Sequence, residues 1–263
     1  MLQALPFNLT RTMMVPKFNE SAQIPVLDEA QTHLISTYVR QDKSLWKRLI
    51  QQGNYKLTAD KEKYALLYQN LISSLSRHLD IPVVLKTPLD FFLFDIFDSK
   101  WEKEPSGFIH NDWNNYAKCM REFAVEADLP HYDPSHSIAL VLAIELPSAG
   151  SGIELYDAFH SEEGVNGKTL LAMRHERNFV LQKYRLGEAT LFCPFQYHSG
   201  HCAEEGTLKT DDSRAVLVAF LIKYNGPKQE EWHMFRMCKG ATLEYGDESL
   251  YGLPEDILAP AKA

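Results

Sequence analysis

The sequence lacks several features that would assign it to a common class of protein. Only four cysteines occur in 263 residues and none forms a C-x-x-C pair, so neither a zinc module nor a disulfide framework is indicated. Lys and Arg number 27 against 35 Asp and Glu, a net charge of -8 that repels phosphate backbones and argues against a nucleic-acid partner. No apolar run approaches the roughly 20 residues needed to cross a bilayer, so we expect no membrane partner.

What remains is an ordinary globular composition, 45% hydrophobic and 24% charged. The first twenty residues lack the basic start, apolar stretch and cleavage site of a signal peptide, so we expect a cytoplasmic protein with reduced thiols. No repeat or long linker divides the chain. We therefore predict a single domain over 1–263, with an N-terminal part at 1–88, a core at 89–225 and a C-terminal extension at 226–263.

The N-terminal part is predicted to be mainly helical. One helix is expected from Asp28 to Gln52, with Gly53 as its stop. A second, over Asp60–Leu79, carries an apolar stripe at helical spacing. Its members are Tyr64, Leu67, Tyr68, Leu71, Ile72, Leu75 and Leu79.

From Leu89 onward the pattern is typical of short strands. "FFLFDIF", "EFAVEADL", "SIALVLAIEL", "GIELYD", "FVLQKY", "ATLFCPF" and "RAVLVAFLIKY" follow one another, separated by turn-forming residues. Many short strands at even spacing favour an antiparallel double sheet, a sandwich or barrel, with jelly rolls among the candidates. The overall class is α+β with a mainly β core, around which the N-terminal helices pack.

His131 and Asp133 form the most suggestive polar pair. The alternation of the strand that ends at Leu129 would place both on its apolar face, because residues two apart in a strand point the same way. A buried imidazole and carboxylate need a partner, and a metal ion is one. His198 or His201, at the end of a later strand, could supply a third ligand.

Two histidines and one carboxylate on one face of an iron leave three coordination positions open, as non-haem Fe(II) oxygenases require. Arg214 opens the next apolar strand and could hold a dicarboxylate through a two-pronged contact. Ser213 is a weaker candidate for the same carboxylate.

In order, "HYD", "SIALVLAIEL", "GSGIELY", "GEATLF", "YHSG" and "SRAVLVAF" resemble the pattern of the Fe(II)- and 2-oxoglutarate-dependent dioxygenases. The resemblance covers roughly 123–224. It implies a double-stranded β-helix, or jelly roll, with His131, Asp133 and His198 as iron ligands. It also implies that Arg214 holds 2-oxoglutarate and that O2 is the co-reactant.

Two choices stay open at this point. "HND" at His110 and Asp112 is a second H-x-D pair, but it would require an insertion of some twenty residues before the long strand, so His131 and Asp133 are favoured. His198 is favoured over His201, because an aromatic residue precedes it and a glycine follows two positions later.

The resemblance implies hydroxylation of an unactivated C–H bond, with desaturation or cyclisation as related outcomes. The motif spacings are similar to those of small enzymes that act on free amino acids, so the expected substrate is an amino acid or a derivative of one. Two alternatives remain: a protein side-chain hydroxylase of the same family, and a non-catalytic jelly-roll binding protein.

Overall fold

The computed structural model describes residues 21–51, 56–95, 109–112, 130–160, 162, 164–201 and 212–236. They form eleven strands and three helices. The strands are β1 Ala22–Pro25, β2 Lys56–Thr58, β3 Val83–Leu85, β4 Asp90–Asp95, β5 Tyr132–Glu145, β6 Gly152–Phe159, β7 Phe179–Lys183, β8 Glu188–Phe192, β9 Gln196–His201, β10 Ser213–Asn225 and β11 Glu230–Phe235. The helices are α1 Glu29–Gln51, α2 Ala65–Leu79 and α3 Gly167–His175.

Side-chain hydrogen bonds begin two of the helices. At α1, Asp28 Oδ1 accepts from the backbone N–H of Gln31 (2.8 Å), while Gln31 Oε1 accepts from the N–H of Asp28 (3.1 Å). This reciprocal pair satisfies N–H groups that a helix start leaves open. At α3, Asn166 Oδ1 accepts from two backbone N–H groups of the first turn.

An eight-stranded sheet, here the main sheet, is organised around β10. β5 pairs with β10 on one side, while β4 and β11 pair with successive parts of its other side. The order β1-β8-β5-β10-β11-β3 runs across the sheet, and β2 joins its edge through β4. All of these pairs are antiparallel except β3 with β11. β10 is thus the central element of the main sheet.

A second sheet contains β7, β6 and β9 in that order, and both of its pairs are antiparallel. His110 extends it by an isolated antiparallel bridge to His198 in β9. The second sheet packs over the main sheet through a shared apolar cluster. Its members include Ala139, Val141, Phe192, Val216 and Phe220 from the main sheet and Ile153 and Leu155 from the second.

Strand alternation gives the main sheet two distinct faces. Leu217, Ala219 and Leu221 of β10 belong to the core that α1 and α2 cover, so we call this the helix face. Val216 and Phe220 belong to the cluster between the sheets, and we call this the inner face. The inner face is where residues from both sheets can meet.

The sequence predicted most of these elements. The two helices in the first 88 residues are present, at Glu29–Gln51 and Ala65–Leu79. Five of the seven residues in the predicted apolar stripe of the second helix are buried, and Ile72 and Leu79 are partly buried against the same core. Six of the seven predicted core strands correspond to β4, β5, β6, β7, β8 and β10. The seventh, "EFAVEADL", lies outside the described residues.

Five of the described strands were not predicted: β1, β2, β3, β9 and β11. β1 pairs with β8, far along the chain, whereas β11 forms a hairpin with β10. Among the described residues, no helix combines the length and apolarity needed to span a membrane.

Candidate metal centre

His110, Asp112 and His198 converge between the two sheets. Their ligand atoms all lie within 4.8 Å of one another, and no other such trio of His, Cys, Asp or Glu occurs among the described residues. His198 Nε2 lies 3.5 Å from Asp112 Oδ2, and His110 Nε2 lies 4.0 Å from Asp112 Oδ1. The two imidazole rings are 4.4 Å apart at an angle of 56°. A single ion could therefore be held by all three with little movement.

Backbone hydrogen bonds fix the segment that carries His110 and Asp112. His110 and His198 exchange both of their N–H···O=C bonds, at 2.9 and 2.7 Å. The N–H of Asp112 donates to the carbonyl of Pro194 at 2.7 Å. Ile109 is buried in an apolar cluster behind the second sheet. The pair is therefore positioned by β9 and by the turn that precedes it.

The ring of His198 is held in one orientation. Its Nδ1 lies 2.8 Å from the carbonyl of Gln196, which can only accept, so Nδ1 carries the proton. This tautomer leaves the lone pair of Nε2 directed toward Asp112, as metal-ligating histidines require. Phe192 packs edge-on against the ring, with centroids 4.9 Å apart.

The environment keeps His198 neutral. Burial lowers its pKa to about 4, the neighbouring His110 adds to the effect, and Asp112 and the Gln196 carbonyl oppose it. A neutral imidazole is the form that binds metal. The nearby thiol of Cys193 is also kept in its protonated form, because burial raises its pKa to about 11.

His201 lies on the opposite face of β9 from His198. Its Nδ1 is 3.1 Å from Glu154 Oε1, a carboxylate that is almost fully buried behind the second sheet. Arg174 joins the same group, 3.6 Å from Glu154 and 2.8 Å from the hydroxyl of Ser199. Of the two histidines considered for the distal position, the structure brings His198 to the cluster and directs His201 away.

The structure does not bring His131 and Asp133 to His198. The Asp133 carboxylate lies 2.7 Å from Nδ1 of His136 at the start of β5, and His131 packs edge-on against Tyr224. Pro130 and His131 lie in a 3-10 turn, so strand alternation does not extend from the preceding segment into β5. In the structure His110 and Asp112, rather than His131 and Asp133, are the H-x-D pair that lies beside His198.

Arg214 enters the space between the sheets. Its guanidinium is buried, lies over the Tyr184 ring at 5.2 Å from the centroid, and donates to the Tyr184 hydroxyl at 3.4 Å. A Cβ built on Gly200 would lie 3.0 Å from Arg214 Nη1. Glycine at this position therefore gives the guanidinium its space, two residues along β9 from His198.

Ser213 faces the other way. Its hydroxyl donates to Glu145 at 2.7 Å, on the helix face, where Ser36 and Arg40 also donate to the same carboxylate. Burial alone would raise the pKa of Glu145, but hydrogen bonds from Ser213, Arg40 and Ser36 outweigh burial and lower it. The Ser213 hydroxyl therefore contacts Glu145 on the helix face, whereas Arg214 enters the space between the sheets.

A cleft of about 1030 Å³ lies on the helix face of the main sheet. Residues from the start of α1, the end of β5 and Ser213 line it. The His110–Asp112–His198 cluster and Arg214 are on the inner face, so this cleft is separate from them.

The chain is similar to several solved structures, although no protein-family model and no curated protein matches its sequence. One is AviO1 from Streptomyces viridochromogenes Tue57, at 14% identity and a TM-score of 0.48 over 80% of this chain and 90% of that one. Another is SnoN, an alpha-ketoglutarate-dependent non-heme epimerase from nogalamycin biosynthesis, at 12% identity and a TM-score of 0.45 over 78% and 81%.

A third is an N-substituted L-amino acid dioxygenase from Burkholderia ambifaria AMMD, solved with alpha-ketoglutarate, at 14% identity and a TM-score of 0.33 over 55% and 50% of the two chains. Fe/2-oxoglutarate-dependent oxygenases are thus among the solved structures that the chain resembles.

Proposed function

We propose that this chain is a non-haem Fe(II)- and 2-oxoglutarate-dependent oxygenase that hydroxylates a C–H bond of a small molecule. The observation that carries the proposal is the convergence of His110, Asp112 and His198 on the inner face, next to the buried Arg214. Two imidazoles and one carboxylate are the ligand set of non-haem Fe(II) oxygenases, and they leave positions open for cosubstrate and O2.

The donor chemistry of the three side chains fits Fe(II). His198 is neutral with Nε2 unprotonated, and Asp112 supplies one negative charge in a site where both residues are buried. Bound iron would supply the activation of O2 for attack on the substrate. The protein holds the ligands in place through the His110–His198 backbone pair and excludes water through Phe192 and the surrounding apolar cluster.

Arg214 supports 2-oxoglutarate as the cosubstrate. A guanidinium is permanently charged, and its planar fork matches the geometry of a carboxylate. Gly200, which contacts Arg214, is two residues from His198 on the same face of β9, a separation of roughly 7 Å along a strand. A five-carbon dicarboxylate suits that span: one end reaches the metal ligands while the other meets Arg214.

The strand pairing supports a double-stranded β-helix as the fold, within one domain. β8, β5, β10 and β4 are neighbours in the main sheet, while β7, β6, β9 and His110 are neighbours in the second. From β5 to β10, β5, β8 and β10 lie in the main sheet while β6, β7 and β9 lie in the second, so the chain crosses repeatedly between the sheets, as in jelly rolls.

We further propose that the substrate is an amino acid or a derivative of one. Of the two spacings that suggested this substrate, the one from His198 to Arg214 is kept, whereas the one counted from His131 no longer applies. A protein side-chain hydroxylase of the same family is the alternative within the enzyme class. A non-catalytic jelly-roll binding protein is the alternative outside it, and under that alternative His110, Asp112 and His198 would form a polar cluster without iron.

Anaerobic titration tests the proposal. Wild-type protein with Fe(II) and 2-oxoglutarate should develop a visible metal-to-ligand charge-transfer band, and O2 with a substrate should then release succinate. Amino-acid and peptide panels would distinguish the two kinds of enzyme by which one accelerates succinate release. Absence of both the band and retained iron would overturn the proposal in favour of the binding protein.

A further inference from the structure

Asp90 is a buried carboxylate on the inner face of the main sheet. Its side chain is 0% exposed. One oxygen, Oδ1, accepts a hydrogen bond from the Thr58 hydroxyl at 2.7 Å. The other, Oδ2, is buried and has no hydrogen-bond partner within the described part of the chain. Burying a carboxylate oxygen without a hydrogen-bond donor costs free energy. This cost would be offset by a ligand that donates a hydrogen bond to Oδ2.

The register of β4 shows where this carboxylate lies. Leu89 and Phe91 belong to the helix-covered core, whereas Phe92 packs on the cluster between the sheets, so Asp90 shares the inner face with Phe92. Asp90 is opposite Val218 in β10, and Phe94 is opposite Arg214. Asp90 and Arg214 therefore face the same space, separated by about 13 Å along the strands.

Asp90 and Arg214, at opposite ends of this stretch of the inner face, carry opposite charges. At the Arg214 end the guanidinium suits the carboxylate of the cosubstrate. At the other end, no Lys, Arg or His of the described residues forms an ion pair with Asp90. The negative charge is thus uncompensated by that part of the protein, and a cationic ligand group would supply both the missing charge and the missing donor.

We infer that Asp90 binds a positively charged nitrogen of the substrate, an ammonium or guanidinium group, through Oδ2. The inference rests on the proposed function, because it assumes that a substrate enters between the sheets beside the metal cluster. The inference narrows the substrate class to molecules that carry an ammonium or guanidinium group. Thr58 acts as a positioning residue, since its hydroxyl holds Oδ1 and leaves Oδ2 for the ligand.

The test compares cationic probes with neutral counterparts of nearly the same shape. The pairs are L-norleucine with hexanoate, 4-guanidinobutanoate with 4-ureidobutanoate, and tyramine with 4-ethylphenol. In each pair the first member, here called the cationic probe, carries an ammonium or guanidinium group, and the second, the neutral probe, carries neither. Melting temperature is measured for wild type, Asp90→Asn and the control Asp157→Asn, which makes the same change at an exposed position of β6. All samples contain Fe(II) and 2-oxoglutarate without O2, and the charge-transfer band is recorded on each.

At least one cationic probe should raise the melting temperature of wild type and of Asp157→Asn above the value with its neutral partner. In Asp90→Asn the cationic and neutral probes should shift the melting temperature equally, while the charge-transfer band is retained. Without any probe, Asp90→Asn should melt about 2–8 °C higher than wild type, because the change removes a buried charge that has no ion-pair partner among the described residues.

Equal shifts with cationic and neutral probes in wild type would overturn the inference and leave the oxygenase proposal standing. So would a lower melting temperature of Asp90→Asn without probes, since that would make the carboxylate a stabilising part of the fold. A missing band in wild type would count against the oxygenase, while the difference between cationic and neutral probes would still decide the role of Asp90.

Discussion

His110 and His198 hold each other by two backbone hydrogen bonds of 2.9 and 2.7 Å, although 88 positions separate them in the sequence. The same bridge that extends the second sheet thus brings two of the three proposed ligands together. Because the contact is made by main-chain atoms, it does not depend on a metal. The ligand set is prepared by the fold before iron arrives.

Replacing His110 by alanine should abolish iron binding, whereas the same change at His131 should not. Loss of an outer partner of a metal ligand already costs 10- to 100-fold in affinity, so loss of the ligand itself should cost more than about 100-fold. Iron retained after anaerobic gel filtration measures the effect. Asp112→Ala and Asp133→Ala make a second matched pair. Loss of iron in His131→Ala with retention in His110→Ala would reverse the assignment.

Substitutions at the neighbouring positions Arg214 and Ser213 of β10 should have different effects: the first on cosubstrate binding, the second on stability. Arg214→Lys removes the two-pronged contact and should raise the KM for 2-oxoglutarate by about 10- to 100-fold, the equivalent of ~1.5–3 kcal/mol for a charge-assisted hydrogen bond. Melting temperature should change little. Steady-state succinate formation at varied 2-oxoglutarate gives the KM, and an unchanged value would remove Arg214 from the cosubstrate site.

Ser213→Ala should instead lower stability by about 1–2 kcal/mol, since the buried Glu145 loses one of three donors. The KM for 2-oxoglutarate should stay within about twofold of wild type. Urea unfolding monitored by fluorescence measures the first quantity. A large rise in KM without loss of stability would return Ser213 to the site.

Gly200→Ala should weaken cosubstrate binding without affecting iron. The new Cβ would lie 3.0 Å from Arg214 Nη1, so the guanidinium must move by a few tenths of an ångström. Such a misplacement should raise the KM for 2-oxoglutarate about 3- to 10-fold. Retained iron serves as the internal control. An unchanged KM would show that Arg214 adjusts without loss.

The metal-free protein should lose stability in mild acid. The folded state holds the pKa of His198 at about 4, below its ordinary value of 6.5. Between those two pKa values the His198 side chain is protonated in the unfolded chain but not in the folded one. The free energy of unfolding should therefore fall by about 2–4 kcal/mol as the pH drops from 6.5 to 4. Above pH 6.5 the contribution is constant. Urea unfolding at pH 7.5 and 5 measures it, and His198→Gln should flatten the difference.

The sequence predicted the kind of site better than its proximal residues. His198 and Arg214 could be identified because each adjoins a strand whose pattern is clear, and alternation from that strand gives the correct face. His131 and Asp133 were favoured by carrying alternation through Pro130, where the chain turns. His110 and Asp112 sit on a short segment with no strand pattern of its own, and its pairing with His198 is set by tertiary contacts.

Asp90 could not have been singled out from the sequence at all. An aspartate at the start of an aromatic strand reads as an ordinary strand boundary. Its position in the space between the sheets follows only from the register with β10, and only the structure shows that it is buried with Oδ2 lacking a hydrogen-bond partner among the described residues.

The opposite orientation of Ser213 and Arg214 divides β10 into two independent sets of positions. Residues that face α1 and α2 can be varied to make the protein more or less robust, while residues that face β9 decide which molecules it accepts. Directed evolution of a new specificity could therefore randomise one set and keep the other as a reserve of stability, all within a single thirteen-residue strand.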